Sequence, residues 1–291
     1  MSAEFKPALG PFSATMVVVG GIIGAGIFIT PSVVAQRLES VPLFLAAWAV
    51  GGAIALAGAL AYAELGALFP QAGGQYVYLR ETYHPLIAFL YGWAELLLIK
   101  GGALAAIAIT FGEYLLRAAP LLAGGAAARA WGVAAILLVS GINWFGVRPG
   151  SRVLNLFVIL KVAALAALIA AGLAAAGPAG PWIRALPGSA ARGSLADFGA
   201  ALVPVLFAYG GWQSVNWVAA EVRDPRRILP RALLLGTALV VLIYITINIA
   251  YLRALGLAGL AATPTPAAGA ARWLFGAPGE RFIAWAIAIS T

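Results

Sequence analysis

The chain carries seven predominantly apolar runs, and each is long enough for a helix to cross a bilayer, which takes about 17 to 25 residues. With 63% hydrophobic and only 10% charged residues, the chain has too little polar surface to enclose itself as a soluble globule. We therefore predict an all-α polytopic membrane protein. The predicted spans are 12–36, 41–69, 85–117, 130–146, 153–177, 196–221 and 229–255.

An eighth apolar run begins near Glu280 and reaches Thr291 after about a dozen residues, which is too short to cross a bilayer. We expect the protein to be truncated within this eighth span. The stretches 178–195 and 256–279 are rich in Pro, Gly and Ala and are predicted to be loops. No stretch suggests a soluble domain, so 1–291 is predicted to be a single transmembrane domain.

The charge distribution indicates how the chain meets its surroundings. The net charge of +8 is spread over loops rather than interleaved with aromatic residues, so membrane lipids are the expected partners and nucleic acid is not. No signal peptide is evident. Four arginines lie in the short loop between spans six and seven, which favours a cytoplasmic N-terminus. The expected location is the plasma membrane. They are Arg223, Arg226, Arg227 and Arg231.

Glycines interrupt two of the apolar runs. The first run contains Gly-Gly-Ile-Ile-Gly-Ala-Gly at 20–26, and the sixth contains Phe-Ala-Tyr-Gly-Gly at 207–211, followed by a polar stretch. Each glycine costs a helix roughly 1 kcal/mol relative to alanine, so unwinding is favoured there. Unwound backbone in hydrocarbon is tolerated only beside a cavity or a bound solute. The alternative is close helix packing by small residues, which explains two breaks five spans apart less readily.

The breaks offer two kinds of ligand. Free N–H groups at the start of a half-helix attract an anion, and free C=O groups at the end of a half-helix attract a cation. A zwitterion matches both. We predict that a carboxylate meets N–H groups and an ammonium meets C=O groups. The predicted substrate-binding residues are Ile22, Ile23, Gly24, Ala25, Gly26, Phe207, Ala208 and Gly210.

Four motifs resemble the amino acid–polyamine–organocation (APC) superfamily of transporters, and especially its L-type amino acid transporter branch. They lie at 21–31, 63–66, 73–78 and 207–212. The resemblance implies a LeuT-like fold of five plus five inverted-repeat helices, with the first repeat at about 12–177 and a partial second repeat at about 196–291.

The resemblance also implies roles for individual residues. The substrate carboxylate would bind the N–H groups of Gly24, Ala25 and Gly26, and the ammonium would bind the carbonyls of Ile22, Phe207 and Gly210. Phe207 would close over the substrate as an outer gate. Many members of the family have Ser where this chain has Ala25, so a hydroxyl contact to the carboxylate is not carried over.

Lys161 lies deep in the fifth span, where an ammonium costs several kcal/mol unless it faces a polar interior. About eight residues of helix separate it from the nearer span end, too far for snorkelling. The resemblance implies that this lysine reaches the unwound first helix, in the place where sodium-driven relatives hold an ion, with Tyr244 near it. Two coupling roles stay open, a titrating proton carrier and a fixed charge.

Other polar residues in the spans are given less specific roles. Glu95 and Lys100 are five residues apart, so they match α-helical pairing poorly, and each is expected to meet a partner on another helix. Tyr209 and Trp212 lie beside the second break and are candidates to face the pathway.

The function that follows is secondary transport of amino acids by alternating access. Neither break contains an acidic residue or an arginine, so neutral L-amino acids are favoured. Proton symport, obligatory exchange, and transport of cationic amino acids or polyamines stay open, as does the oligomeric state. An intramembrane enzyme is the alternative of a different class, but it needs clustered catalytic groups. A chain with no Cys and one His offers few of them, and we predict no cofactor and no metal.

Overall fold

The computed structural model describes residues 7–24, 26–119, 121, 127–144, 147–175 and 194–290. Its regular elements are helical, apart from one isolated β-bridge in the described part of the chain. The α-helices are α1 (Pro11–Ile22), α2 (Gly26–Arg37), α3 (Val41–Leu68), α4 (Gln75–Thr82), α5 (Pro85–Ala94), α6 (Gly101–Ala118), α7 (Ala127–Trp144), α8 (Val147–Ala174), α9 (Leu195–Tyr209), α10 (Ser214–Trp217), α11 (Pro225–Ala262) and α12 (Pro266–Ser290).

Five stretches of helix are long and apolar enough to cross a membrane: Pro11–Arg37, Val41–Leu68, Pro85–Gly112, Gly150–Ala174 and Pro225–Ala262. Two shorter apolar helices, Ala127–Ile142 and Leu195–Tyr209, fall on the fourth and sixth predicted spans. The all-α polytopic architecture is therefore confirmed.

The prediction of a loop at 256–279 was wrong. Helix α11 continues to Ala262 through a bend at Gly256 (φ 68°), and α12 begins at Pro266 and bends at Gly276 (φ 70°). Proline is favoured in the first position of a helix, and the alanines that follow are strong helix formers. The eighth helix therefore begins well before Glu280. The other predicted loop, 178–195, falls almost entirely outside the described residues.

One turn of the third span is a π-helix, Glu95–Lys100, between α5 and α6. A π-turn brings residues five apart onto one face. Lys100 Nζ accordingly lies 3.6 Å from Glu95 Oε1, and it also lies 3.9 Å from the ring centroid of Trp217. We expected Glu95 and Lys100 each to pair with another helix, because residues five apart do not face each other in an α-helix. That expectation was wrong, since the π-turn lets the two side chains pair with each other.

Small residues bring the central helices together. A Cβ at Gly51 of α3 would lie 2.5 Å from Val205 Cγ1 of α9, and one at Gly236 of α11 would lie 2.7 Å from Val18 Cγ1 of α1. Such contacts are the usual means of close packing between membrane helices. They place α1, α2, α3, α9 and α11 around one core, which contains both interrupted runs.

The N-terminal segment joins the end of the sixth run. Leu9 and Val222 form a parallel β-bridge, and both side chains are buried. Ala8 N–H and Leu9 N–H donate to Glu221 O at 2.8 and 2.9 Å, and Arg223 N–H donates to Leu9 O at 2.9 Å. The start of the first span is thereby tied to the short loop that follows α10.

Candidate functional site

The first run is broken as the glycine pattern predicts. Helix α1 ends at Ile22, and Ile23 (φ −74°, ψ 86°) leaves the helical conformation before α2 begins at Gly26. The Gly24 N–H donates to the Ile22 carbonyl at 2.8 Å, which closes a tight turn. Ala25, a predicted site residue, lies outside the described residues.

The second break follows α9. Gly210 is extended (φ −64°, ψ 160°), and Gly211 has φ +107°, a conformation that a residue with a Cβ rarely adopts. Side chains from the following polar stretch pair with this backbone. Gln213 Oε1 accepts from Gly211 N–H at 3.2 Å, and Ser214 Oγ donates to Gly211 O at 2.6 Å. The polar residues in this apolar run thus satisfy backbone groups that the break releases.

The two breaks lie against each other. A Cβ at Gly26 would lie 3.0 Å from Ala208 Cα, and one at Gly21 would lie 2.6 Å from Gly211 O. Close packing therefore explains Gly21 and Gly26. It does not explain Gly24, where an added Cβ would meet nothing within 4 Å. At Gly24 the structure favours the interpretation as an unwound segment with open space beside it.

Lys161 reaches the first break from α8. Its side chain is buried, and Nζ donates to the Ile23 carbonyl at 2.7 Å. This carbonyl follows the last residue of α1, and the carboxyl end of a helix favours a cation. The ammonium charge is therefore compensated within the bundle. Beside it lies a small cavity, lined in part by Lys161 itself, Phe28 of α2 and Ala267 of α12.

Tyr244 of α11 connects the two breaks. Its side chain is fully buried, and its hydroxyl lies 3.0 Å from the Ile22 carbonyl and 3.3 Å from the Ala208 carbonyl. One hydroxyl proton is thus shared between the carboxyl ends of α1 and α9. Lys161 and Tyr244 hold successive carbonyls of the first break, and Ile22, Ile23 and Ala208 lie together around them.

Several of the predicted ligand groups already have backbone partners. The Ile22 carbonyl accepts from Gly24 N–H, and the Phe207 carbonyl accepts from Gly210 N–H at 3.1 Å. The Phe207 side chain, predicted to be a gate, is 78% exposed, whereas the neighbouring Ala208 is buried. The gate role of Phe207 stays a prediction.

An aromatic cluster packs against the end of α9, next to the second break. Trp48, Tyr209 and Tyr244 pack with ring centroids 5.0 to 5.8 Å apart, and Tyr209 donates its hydroxyl proton to Trp48 O at 3.2 Å. Tyr209 is 1% exposed, and the expectation that it faces a pathway stays a prediction. Trp212 stacks edge-on against Tyr62, with centroids 4.9 Å apart. Sequence reasoning missed Trp48, whose only signal is a large aromatic residue close to the small residues of α3.

A family model described as amino acid permease matches residues 9–291, which is nearly the whole chain. The chain belongs to the amino acid permease family. The resemblance to the APC superfamily is thereby confirmed, and the matched range includes both breaks, Lys161 and Tyr244 of this permease.

Individual relatives agree with the family assignment. The permease is 37% identical to the human b(0,+)-type amino acid transporter 1 over 256 residues, 86% of this chain and 52% of that protein. It is 34% identical to the human Asc-type amino acid transporter 1 and 36% identical to the human large neutral amino acids transporter small subunit 2, again over 86% of this chain. These matches cover 49% and 48% of those two proteins. The chain thus spans about half the length of the relatives it matches, and those relatives are named as transporters.

Proposed function

We propose that this permease is a secondary active transporter of amino acids, and that neutral L-amino acids are its preferred substrates. The observation that carries the proposal is the placement of a buried ammonium and a buried hydroxyl on successive carbonyls of a broken helix, by Lys161 and Tyr244. A purely structural break would not need a buried cation, which is costly at that depth. The names of the relatives and the absence of charged residues from both breaks support the substrate class.

In this proposal the substrate binds through its backbone groups. The carboxylate accepts from the N–H groups of Gly24, Ala25 and Gly26, where α2 begins and its dipole favours an anion. The ammonium donates to the carbonyls of Ile22, Phe207 and Gly210 at the ends of α1 and α9. Ile23 and Ala208 complete the wall of the site, and the side chain of the substrate is selected by other residues.

The tight turn at the first break gives a physical reason for reversible binding. The Gly24 N–H and the Ile22 carbonyl are bonded to each other. The substrate would replace this bond with one from its carboxylate and one from its ammonium. The Gly24 N–H and the Ile22 carbonyl then have a partner both before and after binding, so neither adds the cost of an unpaired polar group to binding or release.

Alternating access would come from movement of the two broken helices, which belong to corresponding positions of two inverted repeats at about 12–177 and 196–291. Lys161 couples this movement to occupancy of the site. It acts either as a titrating proton carrier, which gives symport, or as a fixed charge, which gives obligatory exchange. Tyr244 transmits the state of the first break to the second because its hydroxyl contacts both.

Transport by the full-length protein in proteoliposomes tests the proposal. We expect saturable uptake of a labelled neutral L-amino acid such as leucine, in competition with unlabelled neutral amino acids. Uptake that requires internal substrate indicates exchange, and uptake driven by an imposed proton gradient into empty vesicles indicates symport. Stronger competition by lysine or spermidine than by leucine would indicate cationic amino acids or polyamines as the substrates, in place of neutral amino acids. Absence of saturable uptake under all of these conditions would contradict the proposal.

The same proposal includes a plasma-membrane location with the N-terminus in the cytoplasm. The exposed arginines at 223, 226, 227 and 231 support this orientation, because short basic loops are retained on the cytoplasmic side. A cysteine that replaces Arg227 should react with a membrane-impermeant maleimide only after the cytoplasmic face is opened. Reaction from outside intact cells would reverse the orientation.

A further inference from the structure

Glu95 and Lys100, on the π-turn of the third span, are not among the proposed substrate contacts. Glu95 and Lys100 face one another because the turn is π-helical, and their nearest side-chain N and O atoms are 3.6 Å apart. Two charged groups near the middle of a span are expensive unless they are paired and used. The pair is only partly buried, with side-chain exposures of 45% for Lys100 and 19% for Glu95.

Lys100 also has a partner across the bundle. Its Nζ lies 3.9 Å from the ring centroid of Trp217, the last residue of α10. A cation over a tryptophan face is attracted by the negative potential of the ring, most strongly where water is excluded. The ion pair with Glu95 fixes the lysine in place, and the lysine in turn contacts the half of the sixth run that follows the break.

Trp217 also contacts the glycine-rich turn before α4. Gly73 N–H donates to Trp217 O at 3.2 Å, and a Cβ at Gly74 would lie 2.7 Å from Trp217 Cδ1. Gly73 and Gly74 both have positive φ, which fits the tight approach of this turn. Trp217 therefore contacts the glycine-rich turn through a backbone hydrogen bond and Lys100 through a side chain that is 45% exposed. The second contact is the one that a substitution at Lys100 removes.

The neighbouring residues show what this contact would control. Val215 in α10 is completely buried, and Asn216 Nδ2 donates to Tyr62 O of α3 at 3.3 Å. The α10 helix has only four residues and cannot hold its position by itself. It is held in the bundle by the backbone bond from Gly73 to Trp217, by the Asn216 side chain and by the contact of Trp217 with Lys100, which joins it to the third span.

We propose that Glu95, Lys100 and Trp217 form a latch that fastens α10 to the third span, and that release of this latch opens the second break toward the membrane face that carries Arg223. Lys100 is a positioning residue in this view, because it acts through Trp217 and not on the substrate. The inference rests on the proposed transport function for its significance, but the latch itself can be tested without transport.

The test uses the absence of cysteine from the 291 residues. In the full-length protein, with any further cysteine replaced, Val215→Cys provides a buried reporter, and its rate of reaction with N-ethylmaleimide reports opening of α10. We expect Lys100→Gln to raise this rate about three- to tenfold, the range given by loss of an ion pair and a cation–π contact. Lys100→Arg should keep the slow rate, since a guanidinium pairs with carboxylates and stacks on aromatic rings.

Two controls separate a latch from general loosening. Val240→Cys places a second reporter at a fully buried position of α11, and Lys100→Gln should leave its rate unchanged. Arg80→Gln breaks an exposed ion pair with Glu81 and should leave the Val215→Cys rate unchanged. An equal rise at both reporters, no rise at Val215→Cys, or an equal rise from Arg80→Gln would each overturn the proposal.

A charge swap and a double-mutant cycle test the part played by Trp217. The double variant Glu95→Lys with Lys100→Glu restores the ion pair but places a carboxylate toward the ring, so labelling should stay fast; a return to the slow rate would contradict the role of the ring. Lys100→Gln should add nothing in a Trp217→Leu background, and a fully additive increase would contradict the coupling. The labelling rate tests the latch and uptake tests the transport function. If Lys100→Gln speeds labelling but the unmodified protein shows no uptake, the latch is supported and the transport proposal fails.

Discussion

The ammonium of Lys161 donates to the carbonyl of Ile23 at 2.7 Å, although the two residues are 138 positions apart in the chain. This bond links α8 to the break between α1 and α2. It explains why a lysine can be buried in the bundle, because the end of α1 supplies a carbonyl that favours a cation. The contact also means that anything which displaces the lysine changes the shape of the break.

Replacing Lys161 with methionine removes the ammonium but keeps a long apolar side chain. We expect uptake of neutral amino acids to fall at least about tenfold, since a hydrogen bond from a charged donor contributes roughly 1.5 to 3 kcal/mol. Lys161→Arg is the matched control that keeps the charge. Uptake by Lys161→Met at the rate of the unmodified protein would remove Lys161 from the mechanism.

Replacing Tyr244 with phenylalanine keeps the ring in its aromatic cluster and removes the hydroxyl shared between Ile22 and Ala208. Loss of a neutral hydrogen bond is worth roughly 1 kcal/mol, so we expect a loss of apparent substrate affinity of about fivefold. Isothermal titration with leucine measures it. Tyr251→Phe, at another fully buried tyrosine of α11, controls for loss of a buried hydroxyl; an equal loss there would argue against a specific role.

Gly24 and Gly26 should respond differently to alanine. A Cβ at Gly24 meets open space, so Gly24→Ala should fold with an unchanged melting temperature and still bind substrate more weakly, because the methyl group enters the proposed site. Gly26→Ala should lower the melting temperature, since its methyl group would press on Ala208. Thermal unfolding and ligand titration on both variants measure the two effects. Unimpaired binding by Gly24→Ala would place the substrate elsewhere.

Gly211→Ala should be the most damaging glycine substitution at the breaks. It combines a positive φ with a collision between the new methyl group and the Gly21 backbone, and each effect costs about 1 to 3 kcal/mol. Gly199, exposed on α9 with nothing near its Cβ position, is the control. Gly199→Ala should be neutral or stabilising by up to about 1 kcal/mol. Equal melting temperatures for the two variants would refute this reading of the second break.

Periodicity and composition were sufficient to predict the helical membrane architecture and the location of both breaks. Apolar runs of bilayer length leave few alternatives, and the glycine clusters at 20–26 and 207–211 favour unwinding there. The same local reasoning misread 256–279, because alanine's helix propensity outweighed the turn signals of its glycines and prolines there. Local sequence pattern did not predict which of two competing tendencies, helix or turn, would prevail in this segment.

Contacts between distant segments were less accessible from sequence. The pairing of Glu95 with Lys100 depends on a π-turn, and the residue types at 95–100 do not predict one. The role of Trp48 depends on how α3 packs against α9 and α11, which only tertiary structure reveals. The placement of Lys161 could be anticipated because burial of a charge demands a partner, but the carbonyl that serves as its partner could not be named from the residues alone.

The bridge between Leu9 and Val222 has a mechanical consequence. It joins the chain just before the first broken helix to the chain just after the second through three backbone hydrogen bonds. A movement that separates these two segments has to break those bonds, whereas a movement that carries both together leaves them intact. Deletion of the first nine residues would leave every substrate contact proposed here in place while cutting this linkage. We expect a truncation that removes Leu9 to change the rate of transport more than the affinity for substrate.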